Sequence, residues 1–200
     1  MTLEPEDVSE TLEEVAEGDG PDRQTAAIYI SVLAVILSIT SMGGSNATKE
    51  MLHANIHASD TYAFYQAKTV RQTGYRLAAD ELLALKASSM WLPSEAADLI
   101  DRRLASYQAT IEKYDSEPET GEGKKELLAR AREFELVRDH AARQDPFFDY
   151  GEALLQIAIV LASASIVAHR RWVLWLSYVF ATVAVALTVN AFALLVEWGG

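Results

Sequence analysis

The sequence predicts an all-α membrane protein in which three transmembrane helices carry a long antiparallel, coiled-coil-like helical hairpin between the first and the second. Three observations lead there. Uncharged runs occupy residues 25 to 42, 153 to 168 and 172 to 196, although 23% of all residues are charged, and charge-free segments of that length suit a bilayer core. Between the first two runs, apolar residues recur at spacings of three and four, the period of an amphipathic helix. Finally, 17 Lys+Arg stand against 29 Asp+Glu, a net charge of −12, with no cysteine. That excludes a disulfide scaffold, a zinc finger and a thiol nucleophile, and it offers no basic surface to nucleic acid.

Residues 1–24 hold nine acids and a single base, Arg23, together with Gly18, Gly20 and Pro21; this composition reads as a disordered acidic tail. Residues 25–44 form the first transmembrane helix. Its charge-free part, Thr25 to Met42, is 18 residues long and covers about 27 Å at the helical rise. An acidic leader is the opposite of what a cleaved signal peptide carries, so the helix reads as an uncleaved anchor. Gly43-Gly44 is a candidate hinge at its end.

Residues 45–145 form the stalk, with helices over 46–91, 94–115 and 124–144. The outward helix places Met51, Ala54 or Ala58, Tyr62, Tyr65, Tyr75, Ala78, Leu82 and Leu85 along one face, with Gly74 its weak point at about 1 kcal/mol. Leu92-Pro93-Ser94 stops it and caps the next helix, where Ala97, Ile100, Leu104, Tyr107, Ile111 and Tyr114 alternate by three and four like a coiled-coil seam. Ser116 to Gly123 is a break, after which Leu127, Ala131, Phe134, Val137 and Ala141 resume the pattern. The outward helix makes a rod of about 70 Å and each return helix about 32 Å, so two short helices end to end match one long one. That match is the argument for a hairpin.

Residues 146–168 form the second transmembrane helix. Asp145-Pro146 suits an N-cap and first helical position, with Phe147, Phe148 and Tyr150 at the interface. The basic triplet His169-Arg170-Arg171 makes a tight loop over 169–171, and residues 172–197 form the third transmembrane helix, flanked by Trp172, Trp175 and Trp198 as an aromatic belt. Arg23, Arg170 and Arg171 fall on one side, which favours a cytoplasmic N-terminus and a periplasmic stalk. Lys49, Arg138 and Arg143 lie close to the membrane on the other side, so the orientation stays open.

Candidate chemistry is sparse. No Asp, Glu, Lys, Arg or His falls within the three apolar runs, which disfavours a pump or ion-coupled transporter. Small residues four apart, such as Ala27/Ser31 and Ala158/Ala162, suit close helix packing. Gln156 and Asn190 are then either packing residues or the lining of a pore that three helices could enclose only by oligomerising. His53 and His57 lie four apart with Glu50 nearby, and His140 returns to about the same height in the hairpin. These four form a candidate metal or pH-sensing site, the alternative being polar surface close to the membrane. Tyr62 and Tyr65 share a face that Phe64 does not; with Gln66 and Lys68 they form a candidate interface, since exposed aromatic surface marks contact sites. Packing on the return arm is the other reading. Nothing spells out a nucleophile elbow, a phosphate loop or a dinucleotide fingerprint.

The run Tyr65-Gln66-Ala67-Lys68 after an Ala-Ser-Asp step, the charged helical insert, Leu155-Gln156-Ile157-Ala158 and the Arg170-Arg171-Trp172 hairpin together resemble the bacterial family known as domain of unknown function 4337. The similarity covers most of residues 25 to 196. It implies three membrane helices with a charged insert and a place in the bacterial inner membrane, and it brings no activity, no cofactor and no functional residue. The acidic tail departs from the family plan.

The expected function is that of a multi-pass membrane scaffold or accessory subunit, working through oligomerisation or membership of a larger membrane complex, with lipid as its other partner. The alternative is a homo-oligomeric channel or a pH- or metal-responsive regulator. An enzyme would need Glu50, His53, His57 and His140 to build a site at the membrane face, and is the reading the sequence favours least.

Overall fold

The computed structural model describes residues 21–89, 91–168 and 170–196. Most of the acidic tail, His169 and Trp198 lie outside them. Among the described residues there are four helices: α1 (Pro21–Ser88), α2 (Ser94–Asp115), α3 (Lys124–Ala168) and α4 (Arg171–Ala193). Three of these, α1, α3 and α4, are long and apolar enough to cross a membrane by length and composition. The chain divides into two compact units, residues Met1–Met51 with Asp139–Gly200, and Leu52–Arg138.

In the first unit α1 buries Ala26, Ile30, Leu33, Leu37, Thr40, Gly44 and Ala47, a strict alternation of four and three that keeps one stripe facing its neighbours. Ile30, Leu33 and Leu37 meet Leu155, Ala158, Ile159 and Ala162 of α3 and Ala181 and Ala184 of α4. Hydroxyls tie the three together. Ser177 donates to the Ala158 carbonyl at 2.7 Å, and Tyr29 lies 3.2 Å from the same serine oxygen. Ser177 has one proton and has given it to Ala158, so Tyr29 is the donor. Eleven residues on along both helices, Thr40 and Thr188 pair at 3.1 Å. Both pairs are 148 residues apart in sequence, so α1 and α4 run parallel and in register. Thr48 donates to Asp145 at 2.8 Å, which sets α3 antiparallel to them.

Several sequence expectations change here. Gly43-Gly44 is not a hinge, because α1 runs unbroken through it. The glycines admit an aromatic ring instead: a β-carbon on Gly43 would come within 2.5 Å of Phe148 Cε1 and 3.0 Å of Phe192 Cζ. Nor does a helix begin at Asp145-Pro146, since Pro146 sits inside α3. Interior proline costs roughly 3 kcal/mol, and the burial of Phe147 and Phe148 against Ala47 and Ala191 offsets it. Both rings are therefore core residues, not interfacial ones, and only Tyr150 is exposed. At its far end α4 stops at Ala193 rather than 197. Leu194 takes a left-handed turn at φ 44°, held by the Asn190 side chain on Val196.

In the second unit the outward part of α1 packs antiparallel to α2 and α3, rising numbers on one arm meeting falling numbers on the other. His57 stacks on Phe134, Lys68 meets Glu122, Tyr75 meets Tyr107 and Lys86 meets Asp101. Leu85 ends α1, its carbonyl accepting from Ser88 Oγ at 3.1 Å and from Ser89 N and Oγ at 3.2 and 2.9 Å. The α2 seam of Ala97, Ile100, Leu104, Tyr107, Ile111 and Tyr114 is buried or half-buried throughout. In the α3 arm Leu127, Ala131 and Phe134 face inward, but Val137 is exposed, since the 127–131–134 row continues to Arg138.

Enlarging Gly43 tests the first unit's packing. Gly43→Leu forces Phe148 or Phe192 aside and should destabilise by about 1–3 kcal/mol, as overpacked cores do, read as a lower thermal midpoint in detergent. Gly74→Ala, whose β-carbon would meet nothing within 4 Å, should not lower it.

Candidate functional site

A polar cluster lies in the second unit, where the 116–123 loop folds back on α1. The 4–3 row of α1 continues there as Ala54, Ala58, Thr61, Tyr65, Lys68, Gln72, Tyr75, Ala79 and Leu82, all buried or half-buried. Two seam positions are thus polar. Lys68 is 5% exposed and Gln72 1%, and burial of such groups requires hydrogen-bond or charge partners.

Those partners are present. Lys68 donates to the Glu122 carbonyl, lies 3.6 Å from the Glu122 carboxylate and 4.0 Å from that of Glu117, and is flanked by the Phe64 and Tyr114 rings at 5.1 and 5.5 Å. Gln72 donates to the Ile111 carbonyl at 2.9 Å and accepts from Lys124 at 2.6 Å. Lys124 also pairs with Asp115 at 3.0 Å, and Arg76 reaches the other Asp115 oxygen at 3.8 Å.

The loop is built to fit. Gly121 takes φ 67°, a left-handed conformation that glycine adopts without steric cost, and its N–H donates to the Glu117 carbonyl at 2.9 Å. Gly123 has no room for a β-carbon, which would approach Ser116 Cα to 2.6 Å. Glu126 closes the loop, accepting from Ser116 Oγ at 2.6 Å and Glu117 N at 3.1 Å.

These contacts favour the charged forms. Hydrogen bonds from Gln72 and Lys124 hold the Asp115 carboxyl below its usual range, Lys113 does the same for Glu117, and the Ser116 hydroxyl for Glu126. Lys113 is raised in turn by Glu117.

The residues singled out from the sequence fare unequally. Lys68 is an internal tie rather than surface, and Phe64 lies beside it, 38% exposed. Gln66 is exposed, and Tyr62 and Tyr65 are half-buried. Glu50, His53, His57 and His140 are all exposed; Glu50 and His140 belong to the first unit, His53 and His57 to the second. Among the described residues no group of three or more His, Asp or Glu could hold a metal ion. Gln156 donates to Glu152 at 3.3 Å. Asn190 commits its amide to Val196, donating to the carbonyl at 2.9 Å and accepting from the N–H at 2.8 Å. Of the cluster, sequence reading singles out Lys68 alone and passes over Gln72, Arg76, Asp115, Glu117, Glu122, Lys124 and Glu126. The signal was there, since the step from Tyr65 to Tyr75 is filled at seam spacing by Lys68 and Gln72.

A family model described as a domain of unknown function (DUF4337) matches residues 22–194. No curated protein and no solved structure matches the chain.

Removing the buried ammonium should loosen the loop. Lys68→Met leaves the Glu122 carbonyl without its donor, and the expected loss is about 1–3 kcal/mol, seen in denaturant melts and as faster amide exchange over 116–123. Acid should act on the same cluster. A carboxyl with a depressed folded pKa stabilises fully above its unfolded value and less as pH falls through the folded one. The second unit should therefore hold its melting temperature at neutral pH and lose it below about pH 4, the ordinary carboxylate range. Glu126→Gln should flatten that loss.

Proposed function

The chain belongs to the DUF4337 family, and from that premise we propose that it is an integral membrane scaffold or accessory subunit. In this reading α1, the later half of α3 and α4 cross the bilayer three times, and the Leu52–Arg138 unit is a helical stalk that carries contacts to other proteins. It is a multi-pass protein of the bacterial inner membrane with its N-terminus in the cytoplasm and its stalk in the periplasm, Arg170 and Arg171 supplying the positive charge on the inner side.

The observation that carries the reading is the closure of the polar cluster upon itself. Lys68 meets Glu117, Lys124 meets Gln72 and Asp115, Gln72 meets the Ile111 carbonyl and Glu126 meets Ser116, which fixes geometry and leaves little to act on a substrate. The apolar windows agree with lipid contact, being only 33%, 33% and 22% buried within the chain. Their outward residues include Val32, Val35 and Ile39 on α1 and Trp175, Val179 and Val183 on α4.

The test is extraction from membranes in mild detergent through an affinity tag, followed by mass measurement of the complex. A homo-oligomer, or a second protein at fixed stoichiometry, is the expected result. A lone monomer of 22.0 kDa overturns the proposal, as does release of the protein from membranes by alkaline carbonate.

A further inference from the structure

The register of the first unit carries a charge into its apolar layer. On α1, residues 24 to 48 contain no Asp, Glu, Lys, Arg or His, and on α4 residues 172 to 196 contain none. The two stretches are offset by 148, the same offset as the Tyr29–Ser177 and Thr40–Thr188 pairs, so they coincide level for level. Together they mark out a layer of about 37 Å at the helical rise, enough for a hydrocarbon core of about 30 Å with a margin on each side. On α3 the charge-free stretch begins only at Ala153.

Glu152 therefore lies inside that layer. A β-carbon on Gly151 would come within 2.9 Å of Thr188 Oγ1 and 3.5 Å of Thr40 Cγ2, which sets the adjoining Glu152 at the level of Thr40. Thr40 precedes Lys49, the next charge on α1, by nine residues, so the carboxylate sits about 13 Å in from that edge, a third of the way through the layer. A glutamate side chain is far shorter than that depth. Glu152 is half-buried, and Asp149 and Ala153 beside it are exposed, so it is open on the outer side of α3. Gln156 gives it a neutral donor at 3.3 Å, and no cation of the chain is available at its level. Acidic groups inside a membrane almost always pair with another polar or charged group, and here the chain supplies only half of such a pair.

We propose that Glu152, with Gln156 beside it, binds a Lys or Arg on a transmembrane helix of a different protein. Charge complementarity selects that partner and excludes a second copy. Residues 144 to 168 of α3 contain no Lys, Arg or His either, so every copy lacks a cation at this level, and two copies meeting here would set carboxylate against carboxylate. The inference rests on the membrane reading above and narrows it, from a scaffold or subunit in general to a subunit whose companion carries the opposite charge within the bilayer.

The probe is a polyleucine transmembrane peptide with tryptophan anchors and a single Lys a third of the way along, compared with its all-leucine counterpart. Binding is read by fluorescence transfer to the labelled full chain in phosphatidylcholine vesicles. The lysine peptide should bind about tenfold more tightly or better. Glu152→Gln should abolish the preference and leave the thermal midpoint in detergent unchanged, whereas Glu152→Asp, which keeps the charge, and Asp149→Asn, one turn nearer the surface, should both retain the preference. Equal binding of the two peptides overturns the proposal, and so does a preference that survives Glu152→Gln. A complex extracted from native membranes that contains this chain alone overturns the basic partner and leaves the scaffold reading standing. Release by alkaline carbonate overturns the membrane reading itself, whatever the peptides show.

Discussion

The helical arms of the second unit depend on one buried cation. An ammonium group among apolar neighbours is expensive to desolvate, and it is tolerated only where the geometry supplies opposite charge and acceptors together. Lys68 finds both at the 116–123 loop, and no shifted pairing of α1 with the returning helices would do the same. An all-apolar seam could slide by a heptad at little cost. A seam interrupted by Lys68 and Gln72 cannot, because a slip would bury both without partners. Specific register is what the polar residues contribute, more than stability.

The first unit solves the same problem with weaker groups. Its seam carries Thr40 and Ser177, and their hydroxyls bond across helices rather than only back to their own carbonyls. In an apolar setting an unmet hydroxyl is costly, so two such contacts eleven residues apart fix both the offset and the direction of α1 against α4. Small residues at Ala158, Ala162, Ala181 and Ala184 let the backbones come close enough for these short side chains to reach.

Helical character was legible throughout, because the apolar residues of 97–114 repeat at three and four without interruption. The polar cluster was harder to see, since Lys68 and Gln72 occupy seam positions with residue types that pattern reading assigns to the surface. Lys68 enters the sequence analysis only beside the aromatic run, and Gln72 not at all. The continuity of α3 through Pro146 was not legible, because proline is a local signal and the compensating burial of Phe147 and Phe148 comes from Ala47 and Ala191, far away in sequence. Asn190, from sequence either a packing residue or a pore-lining amide, serves a turn six residues on, a local use that only the backbone path displays.

The parallel pairing of α1 with α4 has a consequence for synthesis. Ser177 receives the Tyr29 hydroxyl and gives its own proton to Ala158, so one residue of α4 ties the other two helices together. On a ribosome α1 emerges first and α4 more than a hundred residues later. Throughout that interval Tyr29 and Thr40 wait for partners that have not yet been made. Assembly of the first unit is therefore a late event, completed from its C-terminal side, whereas every residue of the second unit has already left the exit tunnel by then.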